Sequence, residues 1–297
     1  MLNKLCLFVF IVFGLSQQVD AQIIKEFTVE KKHGFNLVQL DFSSYKGVSD
    51  IGKRYITSPI HIHGHLSKVN ILPDFQYSID NNVLKVVLNH QNVENENLGK
   101  SLSSKIFSNK QANFDHTWDV GLCEKFTYDL NFNFEIGKAN LDLSELNVKK
   151  CKIKTVTADV DLNYKGHEHN PSEMDTMMVK VNMGTVNAVN IGHANASQVI
   201  FDVNYGKVNL NFPDPVSIKK SCRIATTVGA GAVYVVLPPT QYSYRVKIKS
   251  TAMCRTSLPG HLVEKGNKTY VSKGYRENAE NLLTFEFDVS VGSLVLK

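Results

Sequence analysis

Three histidines spaced two residues apart, His61-Ile62-His63-Gly64-His65, are the group in this sequence whose type and spacing best suit metal chemistry. In an extended chain alternate residues share a face, so the three imidazoles line up while Ile60 and Ile62 turn the other way. A step of about 6.6 Å between alternate strand residues suits two ligands of one transition metal better than three. The competing reading is the solvent-facing polar side of a strand. A second group, His167-Glu168-His169, lies in loop-like text, and nothing in the sequence brings the two groups together.

Acid pairs are sparse. Asp159 and Asp161 share a strand face two residues apart and come nearest to the clustered carboxylates of a polysaccharide-cleaving β-helix. Equivalent positions elsewhere carry Lys, Thr, Asn, Ala and Tyr, so an active cluster would need help from other segments. There is no Gly-x-Ser-x-Gly elbow and no Gly-rich phosphate loop. No catalytic residue is assigned and no cofactor is expected. Tyr205, Tyr234, Tyr242 and Tyr244 offer either a sugar- or partner-binding stripe or ordinary strand packing. Cys123, Cys151, Cys222 and Cys254 allow three pairings. Cys222 with Cys254 is the first choice, and buried free thiols are the alternative. No Cys-x-x-Cys is present, which leaves zinc-ribbon and thioredoxin-like chemistry without support.

The elements that must carry these residues announce themselves by repetition. Gly137-Lys138-Ala139-Asn140-Leu141 returns as Ala158-Asp159-Val160-Asp161-Leu162 and Gly184-Thr185-Val186-Asn187-Ala188. It returns again as Gly206-Lys207-Val208-Asn209-Leu210, Gly231-Ala232-Val233-Tyr234-Val235 and Gly292-Ser293-Leu294-Val295-Leu296. A period of some two dozen residues in strand-like text predicts stacked β-coils, since no single coil can bury its own apolar face. The glycines permit corners with positive φ. Asn140, Asn187 and Asn209 recur at one position and can hydrogen-bond along the stack. The polar text from Met253 to Asn281 predicts an excursion from the stack. The final strand, Phe285 to Leu296, and the less regular N-terminal part are the expected caps.

Residues 1–21 read as an export signal. Lys4 precedes an apolar core from Leu5 to Leu15, and Val19-Asp20-Ala21 sets cleavage before Gln22. Residues 22–125 form an irregular N-terminal β region, with a hairpin turn at Asp80-Asn81-Asn82, a strand at Val69 to Leu72 and a polar insertion near 89–117. Residues 126–297 form the repeat region and its cap. The net charge of +5 is spread as lysines at alternating polar positions, which reads as a solvated sheet face and not as a nucleic-acid surface. No later run is long and apolar enough to cross a bilayer as a helix.

The text from Leu130 through Leu162 resembles the toastrack-type bacterial β-solenoid domain. Asp142, Leu143, Ser144 and Leu146 match its step after a glycine, and Thr157 and Ala158 match the opening of its next coil. The resemblance covers residues 126–297, and 55–125 more weakly. It implies an all-β, single-domain β-solenoid of the kind found in envelope-stress regulators and in exported proteins described as candidate adhesins. It transfers no catalytic residues. The sequence thus predicts an exported, non-catalytic scaffold or adhesin-like binding protein, in the periplasm or at the cell surface, whose partner is an envelope protein or glycan. The alternatives are a carbohydrate-active enzyme and a metal-binding protein using His61, His63 and His65.

Overall fold

The computed structural model describes residues 23–30, 33–66, 72–90, 116–165, 168–212 and 220–297. The expected signal, most of the polar insertion, most of the Val69–Leu72 strand, and His167 lie outside the described residues.

Period-two alternation along the chain yields long strands whose inward residues are mostly apolar and whose outward residues are mostly polar. Six of them follow one another in parallel: β2 (Leu37–Lys53), β7 (Thr127–Asp142), β8 (Asn147–Asn163), β9 (Met174–Val189), β10 (Ala196–Asn211) and β11 (Cys222–Val236). Each is one rung of a solenoid, 15 to 17 residues long, bent into two arms. At the bend stand Gly47, Gly137, Ala158, Gly184, Gly206 and Gly231, the glycines with φ between 131° and 151°.

The inward residues stack into ladders. On the first arm Leu40, Leu130, Cys151, Met177, Val199 and Ile224 lie in register, followed two residues on by Phe42, Phe132, Ile153, Val179 and Phe201. On the second arm Ile51, Leu141, Leu162, Ala188, Leu210 and Val235 form the matching row. All are buried in one apolar cluster. The arms meet across it: the Phe42 ring packs edge-on against Trp118 at 5.7 Å, and Phe212 against Phe285 at 5.3 Å.

Both ends of the stack depart from chain order. At the N-terminal end β5 (Val83–His90) pairs the first arm of β2, and β6 (His116–Leu122) pairs its second arm. Together they form a split rung laid outside β2. Antiparallel strands finish this end: β4 (Asp74–Asp80) on β5, then β3 (Ile60–Leu66) on β6 and β1 (Ile23–Thr28) on β3. The β4–β5 turn carries positive φ at Asn81 and Asn82, the left-handed pair that a two-residue hairpin requires. The coil therefore starts well before residue 126, because β2 is a full rung with Gly47 opposite Gly137.

At the other end the expected cap is corrected. β16 (Leu283–Leu296) is an internal rung, placed between β11 and a second split rung made of β12 (Tyr244–Ser250) and β13 (Cys254–Ser257). The chain skips one slot after β11, lays the outer rung, and then fills the gap with its last strand. The text from 253 to 281 is thus only partly an excursion. Cys254 takes the corner place opposite Gly292, and β14 (Val263–Gly266) with β15 (Thr269–Val271) closes the edge beside β12. β14 is short, exposed throughout and bulged, features that blunt edge-to-edge pairing.

At Gly206 an added Cβ would lie 1.8 Å from the Gly184 carbonyl oxygen, whereas at Gly260 it would meet nothing within 4 Å. Gly206→Ala should therefore cost about 3 kcal/mol in urea unfolding, and Gly260→Ala no more than about 0.5 kcal/mol.

Candidate functional site

The fold turns two sheet faces outward, and the side chains on them stand in rows one rung apart. On the second arm the row runs Asp119, Asp50, Asn140, Asp161, Asn187, Asn209. The Asn140 amide donates to Asp50 at 2.7 Å, Asn187 to Asp161 at 2.6 Å and Asn209 to Asn187 at 2.6 Å. Lys138 pairs with Asp161 at 2.7 Å, and Arg54 closes the end by pairing with Asp119 at 2.7 Å. The asparagine stacking expected from the repeat is present, and aspartates extend it.

Asp159 has a different task. Ala158 is the one corner in this run without a positive φ, since a residue with a Cβ resists the glycine geometry. Pairing between β8 and β9 lapses between Thr155 and Val160, with the same register on either side. There the Asp159 carboxylate accepts a hydrogen bond from the Thr185 backbone N–H at 2.8 Å, replacing a ladder bond with a side-chain one. Asp159 and Asp161, the nearest pair to an acid couple, are both engaged in holding rungs together.

The histidines of β3 share one face as expected, each half-buried between fully buried neighbours. Gly64 fits the opposite face because the Trp118 ring covers it; a Cβ there would lie 2.6 Å from that ring. His61 Nε2 stands 2.9 Å from Glu26 Oε1, and the His63 and His65 rings stack at 4.7 Å. His63 lies between Glu26 on β1 and Asp119 on β6. Arg54, Ile56, His61, His63, Asp119 and Gly121 line a shallow pocket of about 200 Å³. Among the described residues no three His, Cys, Asp or Glu side chains converge to hold a metal ion. His169, from the described part of the second group, does not join this one. It packs instead on His193, in the 3-10 turn Ile191–Ala194 after β9, with rings 4.8 Å apart.

The first arm carries charge. Arg223, Lys247, Lys249, Glu286, Asp288 and Thr227 line a groove of about 320 Å³ across β11, β16 and β12. Arg223 grips Glu286 with two nitrogens, at 2.6 and 2.9 Å, and its guanidinium holds that carboxyl below the usual carboxylate range.

The other candidates disperse. Tyr205 and Tyr234 are exposed, but Tyr244 is core, its hydroxyl 3.3 Å from His261 Nε2, and Tyr242 packs half-buried against the core. The four do not form a stripe. All four cysteines are free, and Cys222 opens its rung opposite Leu283 while Cys254 sits at a corner opposite Gly292, which separates the expected pair. Burial pushes the Cys151 and Cys222 thiols up to about 12, so they pack as small apolar groups and not as nucleophiles. Two structural residues carry no repeat signal. Asn170 is buried and satisfies its whole amide, bonding Val148 N and O, Ala194 O and Ser172 N. Tyr128 bridges Pro59 O and Cys123 through its hydroxyl.

Parallel rungs, a corner at each and ladders on both sides define a β-solenoid. Residues 57–191 match the family model for the N-terminal domain of toast_rack, DUF2154. The protein carries a toastrack-type domain. Its chain is also similar to a candidate cell adhesion protein from Clostridium sporogenes, at 13% identity and TM-score 0.46, covering 93% of this chain and 99% of that one. A candidate adhesin from Parabacteroides merdae is similar at 14% identity and TM-score 0.31, covering 93% and 96%. No curated protein matches the chain.

Asp159→Ala leaves the part-buried Thr185 N–H without its acceptor. The change should lower stability by about 1–2 kcal/mol in urea unfolding and speed amide exchange at Thr185.

Proposed function

We propose that the protein is an exported, non-catalytic β-solenoid that works as an envelope-associated scaffold or adhesin-like binding protein. The observation that carries this reading is the pair of long outward faces, on which side chains repeat rung by rung at strand spacing. Such faces suit an extended partner better than a small molecule. The carboxylates that an enzyme of this shape would use are occupied by backbone and amide partners. No helix among the described residues is long and apolar enough to cross a membrane. The export signal of residues 1–21 supplies the route to the periplasm or cell surface, and an envelope protein or glycan is the partner.

Crosslinking capture from the native envelope, read by mass spectrometry for proteins and glycans, tests this reading. A reproducible envelope partner is the expected result; recovery of the protein alone contradicts it. A second reading, metal binding by His61, His63 and His65, is favoured by their shared face. The buried Nε2 of His63 has no hydrogen-bond partner among the described residues. It requires the rings to turn toward one point. On that reading calorimetry of tag-free protein with zinc gives a binding heat that His63→Ala abolishes, and a flat titration ends it.

A further inference from the structure

The lysines of β8 are arranged against the stability of the sheet that holds them. Alternation alone would send Lys149 and Lys150 to opposite faces. A bulge between Tyr128 and Asp129 makes Val148 and Lys150 the paired residues and leaves Lys149 as the extra one. Both side chains are then exposed on the outer face, together with Lys152 and Lys154. Lys180 on β9 is the direct cross-strand partner of Lys154, a like-charge pairing that destabilises a sheet. Asp129 takes up Lys150 at 3.7 Å and Asp202 takes up Lys180 at 3.2 Å, and Asp175 is exposed on β9 two residues before Met177, the partner of Cys151. Lys149, Lys152 and Lys154 have no ion-pair partner among the described residues.

We propose that this outer face of β8 and β9 binds a linear acidic polysaccharide, its carboxylate or sulfate groups set against Lys149, Lys152, Lys154 and Lys180. This rests on the binding reading above and names the ligand class for one of its faces. Three observations favour the assignment. Alternate lysines stand about 6.6 Å apart along a straight strand, a row that an extended polymer can follow. Asn133 flanks Lys154 on β7 and offers an amide to sugar hydroxyls, while Asn131, beside Lys152, donates to Asp41 at 2.7 Å. The apolar side chains beside the lysine row are few for a surface that enters a bilayer: Met178 is half-buried, and Val156, two residues beyond Lys154, is exposed. A bulge that turns a fourth lysine outward is a device for binding, since bulges re-aim side chains at functional places.

The test uses the full mature chain and polygalacturonate as probe, with dextran as the neutral polymer and phosphatidylcholine vesicles containing phosphatidylglycerol as the anionic surface. The expected result is retention on polygalacturonate alone, weakened by salt. Lys152→Gln/Lys154→Gln should lose at least about tenfold in affinity and show a shallower salt dependence. Lys247→Gln/Lys249→Gln removes the same charge elsewhere on the arm and should bind within about twofold of the parent. Relief of the Lys154–Lys180 repulsion means that the first variant should melt no lower than the parent. Absent binding to polygalacturonate, equal loss in both variants, or stronger retention on the vesicles would each overturn the proposal. Envelope capture separates the two ideas. If parent and Lys152→Gln/Lys154→Gln capture the same partner, this face is wrong and the binding role stands; if the parent captures nothing, the binding role itself falls.

Discussion

A carbonyl oxygen at each corner leaves no room for a side chain on the next rung. At Gly137, Gly206, Gly231 and Gly292 a Cβ would lie between 1.7 and 1.9 Å from the carbonyl of the glycine one rung below. The corners must therefore align, and alignment fixes the register of both arms. Once register is fixed, each inward position sees its equivalent above and below, and the core ladders follow. Outward positions are bound by the same rule, which is why Asn140 meets Asp50, and Asn187 meets Asp161 and Asn209, within hydrogen-bonding distance. Ala158 shows what happens when the rule is broken: pairing to β9 lapses and Asp159 has to bridge the gap.

The two ends share a solution to a problem that every solenoid faces. A rung laid last would leave a full-length edge open to other chains. Here the outermost rung at each end is split in two, β5 with β6 and β12 with β13; short antiparallel strands cover β5, β6 and β12, and β13 is only four residues long. The full-length strands β2 and β16 are thereby kept inside. Long flat edges are confined to positions where they are paired, and the faces stay free for partners.

Much of this was legible in the sequence, for identifiable reasons. Alternation set the faces, so Leu141, Val160 and Phe212 were readable as core, and the Asn81-Asn82 turn as a hairpin. The phrase Gly47-Val48-Ser49-Asp50-Ile51 shares its glycine, polar fourth residue and apolar fifth residue with most of the later repeats, but Ser49 stands where they carry an apolar residue, which weakens the signal that extends the coil to β2. What stayed hidden depends on long-range order. Nothing in the residues of β16 says that it returns to an inner slot, because its alternation would suit any rung. The histidine face was foreseen, yet its neighbours Glu26 and Asp119 come from strands far away in sequence. The bulge that turns Lys149 outward breaks the period on which the reading of the lysines rested.

The proposed binding role belongs to surfaces more than to a cleft. The ladders of the second arm satisfy one another, whereas Lys149, Lys152 and Lys154 on β8 have no ion-pair partner among the described residues. The whole account depends on the inner placement of the last strand and the corner that holds it. Amide hydrogen exchange followed by peptide mass spectrometry measures this directly. The account predicts that residues 283–296 exchange as slowly as β10 and β11, while 263–271 exchange fast. Exchange of 283–296 at the rate of 263–271 would contradict it, because a strand so exposed could not lie between two rungs.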